Sequence, residues 1–224
     1  MSRPATRSLN VTEILREKLL RGDFAAGSHL QEVVLADQLA VSRTPIREAL
    51  RLLQQEGLVL YHPNRGYVVK GFALDDILAA FEVRGVLEGL AARRMSRLGV
   101  TAQARDLLSA CLADGDQLLE KPVWSDLEYA AWRAMNTRFH ACLLDNADSV
   151  LLSRFCEDAG KIPVVFNGSF RWYTRQEFRR SHDHHHLIAQ AILAGEGDRA
   201  DWAMREHIRH AAEIIKAHHR EEHA

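Results

Sequence analysis

Three stretches of the sequence carry imidazole groups at spacings that point them into a helical interior. Asn136 and His140 are four residues apart, and a helix turns about 100° per residue, so both share a face with Trp132, Phe139 and Leu143. The run His182-Asp183-His184-His185-His186 precedes an apolar face formed by Ile188, Ala191 and Ile192. On that wheel His184 and His185 both flank the apolar face, and His186 points away. His207 lies within the arc of Met204, Ile208, Ala211 and Ile215, with His210 at its edge. Burying an amide or imidazole unpaired costs a few kcal/mol, so each of these groups needs a partner. A hydrogen-bonded core would supply one. So would a divalent transition metal, because imidazoles on facing helices are the usual construction of a metal site inside a bundle. Three histidines and one weak oxygen ligand leave coordination positions open to water or a carboxylate. Arg133, seven residues before His140, and Arg84 are candidate partners for the carboxylate of a small ligand; either could instead bond a helix end or a neighbouring acid.

A second set of residues has the chemistry of nucleic-acid recognition. Val41-Ser42-Arg43-Thr44-Pro45-Ile46-Arg47-Glu48-Ala49-Leu50 reads as the start of a helix. Ser42 or Thr44 fits its cap, and Pro45 suits a first turn in which a missing N–H costs nothing. Ile46, Leu50, Leu53 and Leu58 supply a buried stripe, which leaves Arg43, Thr44 and Arg47 at or near the exposed N-terminal end. A helix N-terminus receives phosphate, and arginine bonds guanine O6 and N7 as a bidentate pair. Downstream, Leu58-Val59-Leu60-Tyr61, a turn at His62-Pro63-Asn64-Arg65-Gly66 and Tyr67-Val68-Val69 read as a β-hairpin with a basic tip. From that tip Arg65 or His62 would enter the minor groove or lie along the phosphates.

The elements that must hold these groups follow from periodicity. Val11, Ile14, Leu15 and Leu19 predict a helix that Gly22 ends, and a short helix fits 33–39. With the helix opened by Ser42 these form a helix-turn-helix, and the hairpin adds a wing. After Gly71 the pattern is helical nearly throughout, over about 74–98, 101–119, 124–144, 150–166 (interrupted near Pro163), 174–194 and 198–219. Trp132, Phe139, Phe155, Phe166 and Trp202 are expected in its core. The fold class is therefore mainly α: a winged helix-turn-helix domain over 1–70 and an all-α helical bundle over 71–224.

Composition excludes other classes and hides one asymmetry. The 224 residues are 47% hydrophobic with net charge −1, which rules out a disordered chain. Three cysteines make no disulfide framework and fit a cytoplasmic protein. No apolar run approaches the ~20 residues of a membrane span, and the polar N-terminus leads into no signal-peptide core. Residues 1–70 hold ten basic and seven acidic side chains, a balance of +3, and the remainder nineteen and twenty-three, a balance of −4. Ten of the twelve histidines lie in the acidic part. Near-neutral whole-chain charge thus conceals a basic head joined to an acidic, histidine-rich body.

Leu30-Gln31-Glu32, Leu35-Ala36, the run from Val41 to Leu50 and Glu56-Gly57-Leu58-Val59 resemble the N-terminal domain of GntR-family bacterial transcription regulators. The resemblance implies that Ser42, Arg43, Thr44 and Arg47 contact double-stranded operator DNA, with His62, Arg65 and Gly66 of the wing contributing. Many relatives carry Arg where this chain has Val33. Phe81-Glu82-Val83-Arg84 with Leu87-Glu88, Asn136-x-x-Phe139-His140, His185-x-x-Ile188 and Met204-x-x-His207 resemble the all-helical FCD effector domain of the FadR-type subgroup. By that resemblance the metal ligands are Asn136, His140, His185 and His207, with His185 selected over His184 by its spacing to Ile188 and Ile192. The metal is expected to be zinc or nickel, and small carboxylates bind on or beside it. Many relatives have Asp in place of Asn136, so the site here carries less negative charge.

The expectation is a cytoplasmic, homodimeric regulator, a repressor released from its operator by a small organic acid. Two other readings use the same residues. In one the metal itself is the signal. In the other the body is a metalloenzyme fused to a DNA-binding head, with Glu82, Glu88 and Asp183 as available general bases, none compelling.

Overall fold

The computed structural model describes residues 4–21, 23–159 and 173–222. They fall into two compact units, one running to Ile77 and the other beginning at Leu78.

The first unit contains helices α1 (Pro4–Arg21), α2 (Glu32–Gln38) and α3 (Arg43–Gln55) and strands β1 (His29–Leu30), β2 (Val59–His62) and β3 (Gly66–Val69). Val11, Leu15 and Leu19, four residues apart on α1, are buried against Ile46, Ala49, Leu50 and Leu53, which form one stripe of α3. Arg16 ties the two helices, its Nε donating to Glu56 Oε2 at 2.8 Å. The α2–α3 turn is tight. Val41 N–H donates to Ala36 O at 3.0 Å, and Ala40 between them has φ 51°, the left-handed position that ends many helices and usually belongs to glycine. The strands form an antiparallel sheet in the order β1-β3-β2, with Tyr61 opposite Tyr67 and His62 opposite Gly66. Asn64 (φ 67°) and Gly66 (φ 76°) make the hairpin turn. β1 was not expected; two residues have no periodicity to read.

The second unit is helical: α4 (Leu74–Leu98, which begins in the first unit), α5 (Ala102–Glu120), α6 (Asp126–Asp145), α7 (Val150–Ala159), α8 (Arg175–Leu193) and α9 (Gly197–Glu222). The helix expected over 150–166 is observed to Ala159; its remainder, with Pro163 and Phe166, lies outside the described residues. α6 starts after Ser125 rather than at Trp124, because Ser125 and Glu128 form a capping box in which Ser125 N–H donates to Glu128 Oε2 at 2.9 Å. Trp124 instead donates its indole N–H to Leu118 O at 2.8 Å and packs against Trp132 and Phe178. α4 approaches α9 closely where Gly89 faces Asp201 and Arg205.

Trp132 and Phe139 are fully buried, as expected, but Phe155 and Trp202 are not core residues, being 54% and 65% exposed. The buried faces of their helices run through Leu152 and Cys156 and through Met204 and Ile208, and neither aromatic lies on that face. Cys111, Cys142 and Cys156 are free and buried. No helix among the described residues is long and apolar enough to cross a membrane.

Candidate functional site

In the head, α3 presents its first turn to solvent. Ser42 is the N-cap residue (φ −74°, ψ 166°), yet its hydroxyl makes no capping bond. A cap usually bonds the N–H of the second or third helical residue, and here the third is Pro45, which has none. Ser42, Arg43, Thr44 and Arg47 are all exposed. The two guanidinium groups converge on one carboxylate at the start of α2: Arg43 Nη2 lies 3.1 Å from Glu32 Oε2, and Arg47 Nε lies 3.0 and 2.9 Å from the two Glu32 oxygens. The bond from Arg47, followed by that from Arg43, holds the Glu32 carboxyl below its ordinary range and raises Arg47 in turn. Glu32 thus aims two cations without burying them. Sequence reasoning missed this role, since 11 and 15 residues separate Glu32 from its partners.

His62 and Arg65 are exposed at the hairpin tip, and Gly66 is half-buried beside them. The tip is braced from β1, where His29 Nδ1 lies 3.1 Å from Arg65 O. A carbonyl only accepts, so the His29 Nδ1 carries the proton in that bond.

In the body, α6, α8 and α9 bring His140, His185 and His207 together. All three are buried, and one ring nitrogen from each lies within 4.8 Å of the others. His140 Nε2 and His207 Nε2 are 3.3 Å apart, and Phe139 stacks on His185 with ring centroids 4.3 Å apart. Both ring nitrogens of His185 and Nδ1 of His207 are buried without any hydrogen-bond partner. Burial, then the neighbouring imidazoles, pushes His185 and His207 well below the ordinary histidine value, so both are neutral with lone pairs to give. Asn136 is buried one turn before His140. Neutral imidazoles with orphaned nitrogens, with a buried amide one helical turn from His140, form a donor set that fits a divalent transition metal. Of the two neighbours on α8, His185 is 0% exposed and stands with His140 and His207, whereas His184 is half-buried.

Glu88 on α4 completes the shell. It accepts from His140 Nδ1–H and from Arg84 Nε–H. Burial alone would raise its carboxyl, but Arg84 and then His140 outweigh that and hold it at about 2. A charged Glu88 fixes His140 as the Nδ1–H tautomer, which turns the Nε2 lone pair toward His207. Glu88 is therefore an orienting group rather than a free base. Arg84, an expected effector contact, is buried behind His140 and pairs with Glu88, the neighbouring-acid outcome. Arg133 is half-buried two turns before His140.

Comparison with known proteins bears on these arrangements. Residues 7–69 match the gntR family of bacterial regulatory proteins, and residues 79–210 match the FCD domain. An uncharacterized HTH-type transcriptional regulator from the TAR-I ttuE-ttuC' intergenic region of Agrobacterium vitis is 31% identical over 130 residues, covering 58% of this chain and 74% of that protein. The HTH-type transcriptional repressor GlaR of Escherichia coli is 26% identical over 215 residues, 93% of this chain and 96% of that one. The solved structure of E. coli McbR/YncC superposes with TM-score 0.76 at 22% identity, over 95% of this chain and 98% of that one, and shares the fold. The two sequence relatives are named transcriptional regulators, and together with the family matches this speaks against the enzyme reading of the body. The chain belongs to the gntR family of bacterial regulatory proteins, as a DNA-binding transcription regulator with an FCD domain for its body.

Proposed function

We propose that this regulator is a homodimeric repressor that binds a pseudo-palindromic operator and is controlled by a small organic acid bound at a divalent metal, zinc or nickel, in its body. The single observation carrying the metal is the pair of buried, unpartnered nitrogens of His185 between His140 and His207. Leaving such groups unmade costs about 1–3 kcal/mol each, which favours a ligand among them. Asn136, His140, His185 and His207 would hold the ion. When bound, it would offer an open coordination position to a carboxylate oxygen.

The chain's own residues do the rest. Glu88 orients His140, and Phe139 keeps water from one face of His185. Arg133 faces the same side of α6 as Asn136 and His140 and can pair with an effector carboxylate. Arg84 would do so only by giving up Glu88. At the head, Arg43 and Arg47 read base edges in the major groove, Ser42 and Thr44 hold phosphate, and His62, Arg65 and Gly66 set the wing against the neighbouring backbone. Two such heads on a two-fold axis read half-sites about one helical turn, or a multiple, apart. The acid acts by binding one arrangement of the dimer better than the other, so its differential affinity sets the fraction bound to operator. GlaR, named a repressor, supports the sign.

Operator binding by fluorescence anisotropy, with elemental analysis of the purified protein, tests this reading. Arg43→Ala and Arg47→Ala should each abolish specific binding while leaving a folded dimer; unchanged affinity removes the recognition-helix assignment. Specific affinity should fall steeply with salt as counterions are released, and a flat response contradicts phosphate contact. His140→Ala with His207→Ala should remove the metal and the response to the acid together. Stoichiometric metal in that variant refutes the site. If chelator alone releases operator in the absence of any acid, the metal itself is the signal.

A further inference from the structure

A second histidine cluster lies where α5 meets α8. His182 and His186 are four residues apart on α8 and share a face, and Asp116 of α5 stands opposite. His182 Nε2 lies 3.1 Å from Asp116 Oδ1, and His186 Nε2 lies 3.0 Å from the same oxygen. The cluster is graded from core to solvent: the His182 side chain is 2% exposed, whereas Asp116 and His186 are about half exposed at 55% and 43%.

The position of His182 is built into the fold. Gly115 faces its ring so closely that a Cβ there would fall inside the imidazole. Any other residue at 115 would expel the ring or move the helix. Nε2 of His182 lies 3.1 Å from both the Leu112 carbonyl and Asp116 Oδ1, so a metal bound there would replace the N–H bond that the carbonyl accepts, while Nδ1 is buried with no partner.

From this geometry we infer that Asp116, His182 and His186 form a second divalent transition-metal site, separate from the one among His140, His185 and His207. Two imidazoles and a carboxylate make a known zinc ligand set that leaves a fourth position for water. Around four-coordinate zinc, bonds of about 2.0–2.2 Å put neighbouring ligand atoms about 3.3–3.5 Å apart, within a few tenths of an ångström of the two nitrogen distances to Asp116 Oδ1. The site has an open entry through Asp116 and His186, which a preformed metal site requires. It also clips α5 to α8 beside the core site, since the His182 and His185 ring centroids are 5.7 Å apart. The competing arrangement, two ring N–H groups sharing one carboxylate, needs no ion.

Zinc titration of chelator-stripped full-length protein, followed by elemental analysis, separates the two. Wild type should retain about two equivalents per chain, and His186→Ala and Asp116→Asn about one each, because a site losing one of three protein ligands no longer competes with a chelator. Both substituted groups are exposed, and circular dichroism checks the fold. His140→Ala with His207→Ala should also leave about one equivalent, the rim ion, so loss of the core site and loss of the rim site are read independently. Histidines 218 and 219 are common to all of these proteins and cancel in the comparison. Unchanged stoichiometry in His186→Ala, in Asp116→Asn or in both overturns the site.

Discussion

Replacing Glu88 with Gln tests how the core histidines are held. The Arg84 and Glu88 side chains are 5% and 1% exposed, and His140 shares the carboxylate. Removing the charge of Glu88 takes a buried carboxylate away from the Arg84 guanidinium, and breaking a buried pair in this way costs about 3–5 kcal/mol. Gln keeps a carbonyl oxygen for the His140 Nδ1–H, which places the expected loss near the lower end, about 3 kcal/mol. With a urea m-value of about 1–3 kcal/mol/M, the unfolding midpoint should fall by roughly 1–3 M. A weaker acceptor also lowers the basicity of His140 Nε2, so metal affinity should drop about 10–100-fold. The double variant Arg84→Met/Glu88→Gln separates the two effects. It removes the cation together with its carboxylate partner, so most of the stability should return as a coupling energy of at least about 2 kcal/mol. Metal affinity should stay low, because His140 still faces an amide. Urea unfolding and competitive metal titration of the four proteins in the cycle give both readouts. A single variant that loses less than about 1 kcal/mol, or a double variant no more stable than the single one, would refute the idea that a buried ion pair orients His140.

Glu32→Gln should raise affinity for random-sequence DNA and lower the ratio of specific to non-specific binding, because Arg43 and Arg47 lose the group that aims them while a negative charge leaves the phosphate-facing surface; an unchanged ratio in anisotropy titrations counts against the tether. Gly115→Ala should destabilise the body by about 1–3 kcal/mol through overpacking against His182, and a neutral result in denaturant unfolding would mean the ring moves freely. The Ser125 hydroxyl, then Lys121, holds Glu128 at about 2, so its capping interaction is fully present above the ordinary carboxylate value and is lost as pH falls toward that number. Wild type should therefore lose more stability than Glu128→Gln between about pH 5 and pH 3, and parallel curves from thermal melts would show that the cap contributes nothing.

Long periodic helices were legible because period and boundary agreed: the helix expected over 74–98 is α4, and Thr101 caps α5 where Gly99 breaks the chain. Periodicity failed where residue type was allowed to override it. Trp202 was assigned to the core for being aromatic, although the face through Met204 and Ile208 already excluded it. His182 precedes His185 by three residues and belongs to the same stripe, so its burial was within reach of the pattern. What makes room for it, Gly115, is on another helix, and no local rule connects them. The same distance hid Glu32 and Glu88. Side chains that do chemistry announce themselves by type and spacing, whereas the charges that position them are chosen by tertiary contact.

The three cysteines give this regulator an experimental convenience. Burial raises Cys111, pushes Cys142 up to about 11 and Cys156 up to about 12. Near neutral pH almost no thiolate is present on any of them, and the thiolate is the nucleophile. Maleimide dyes should therefore ignore the native chain. A single cysteine introduced at the wing tip, for example Asn64→Cys, should label selectively and report operator engagement by fluorescence without a cysteine-free background having to be built.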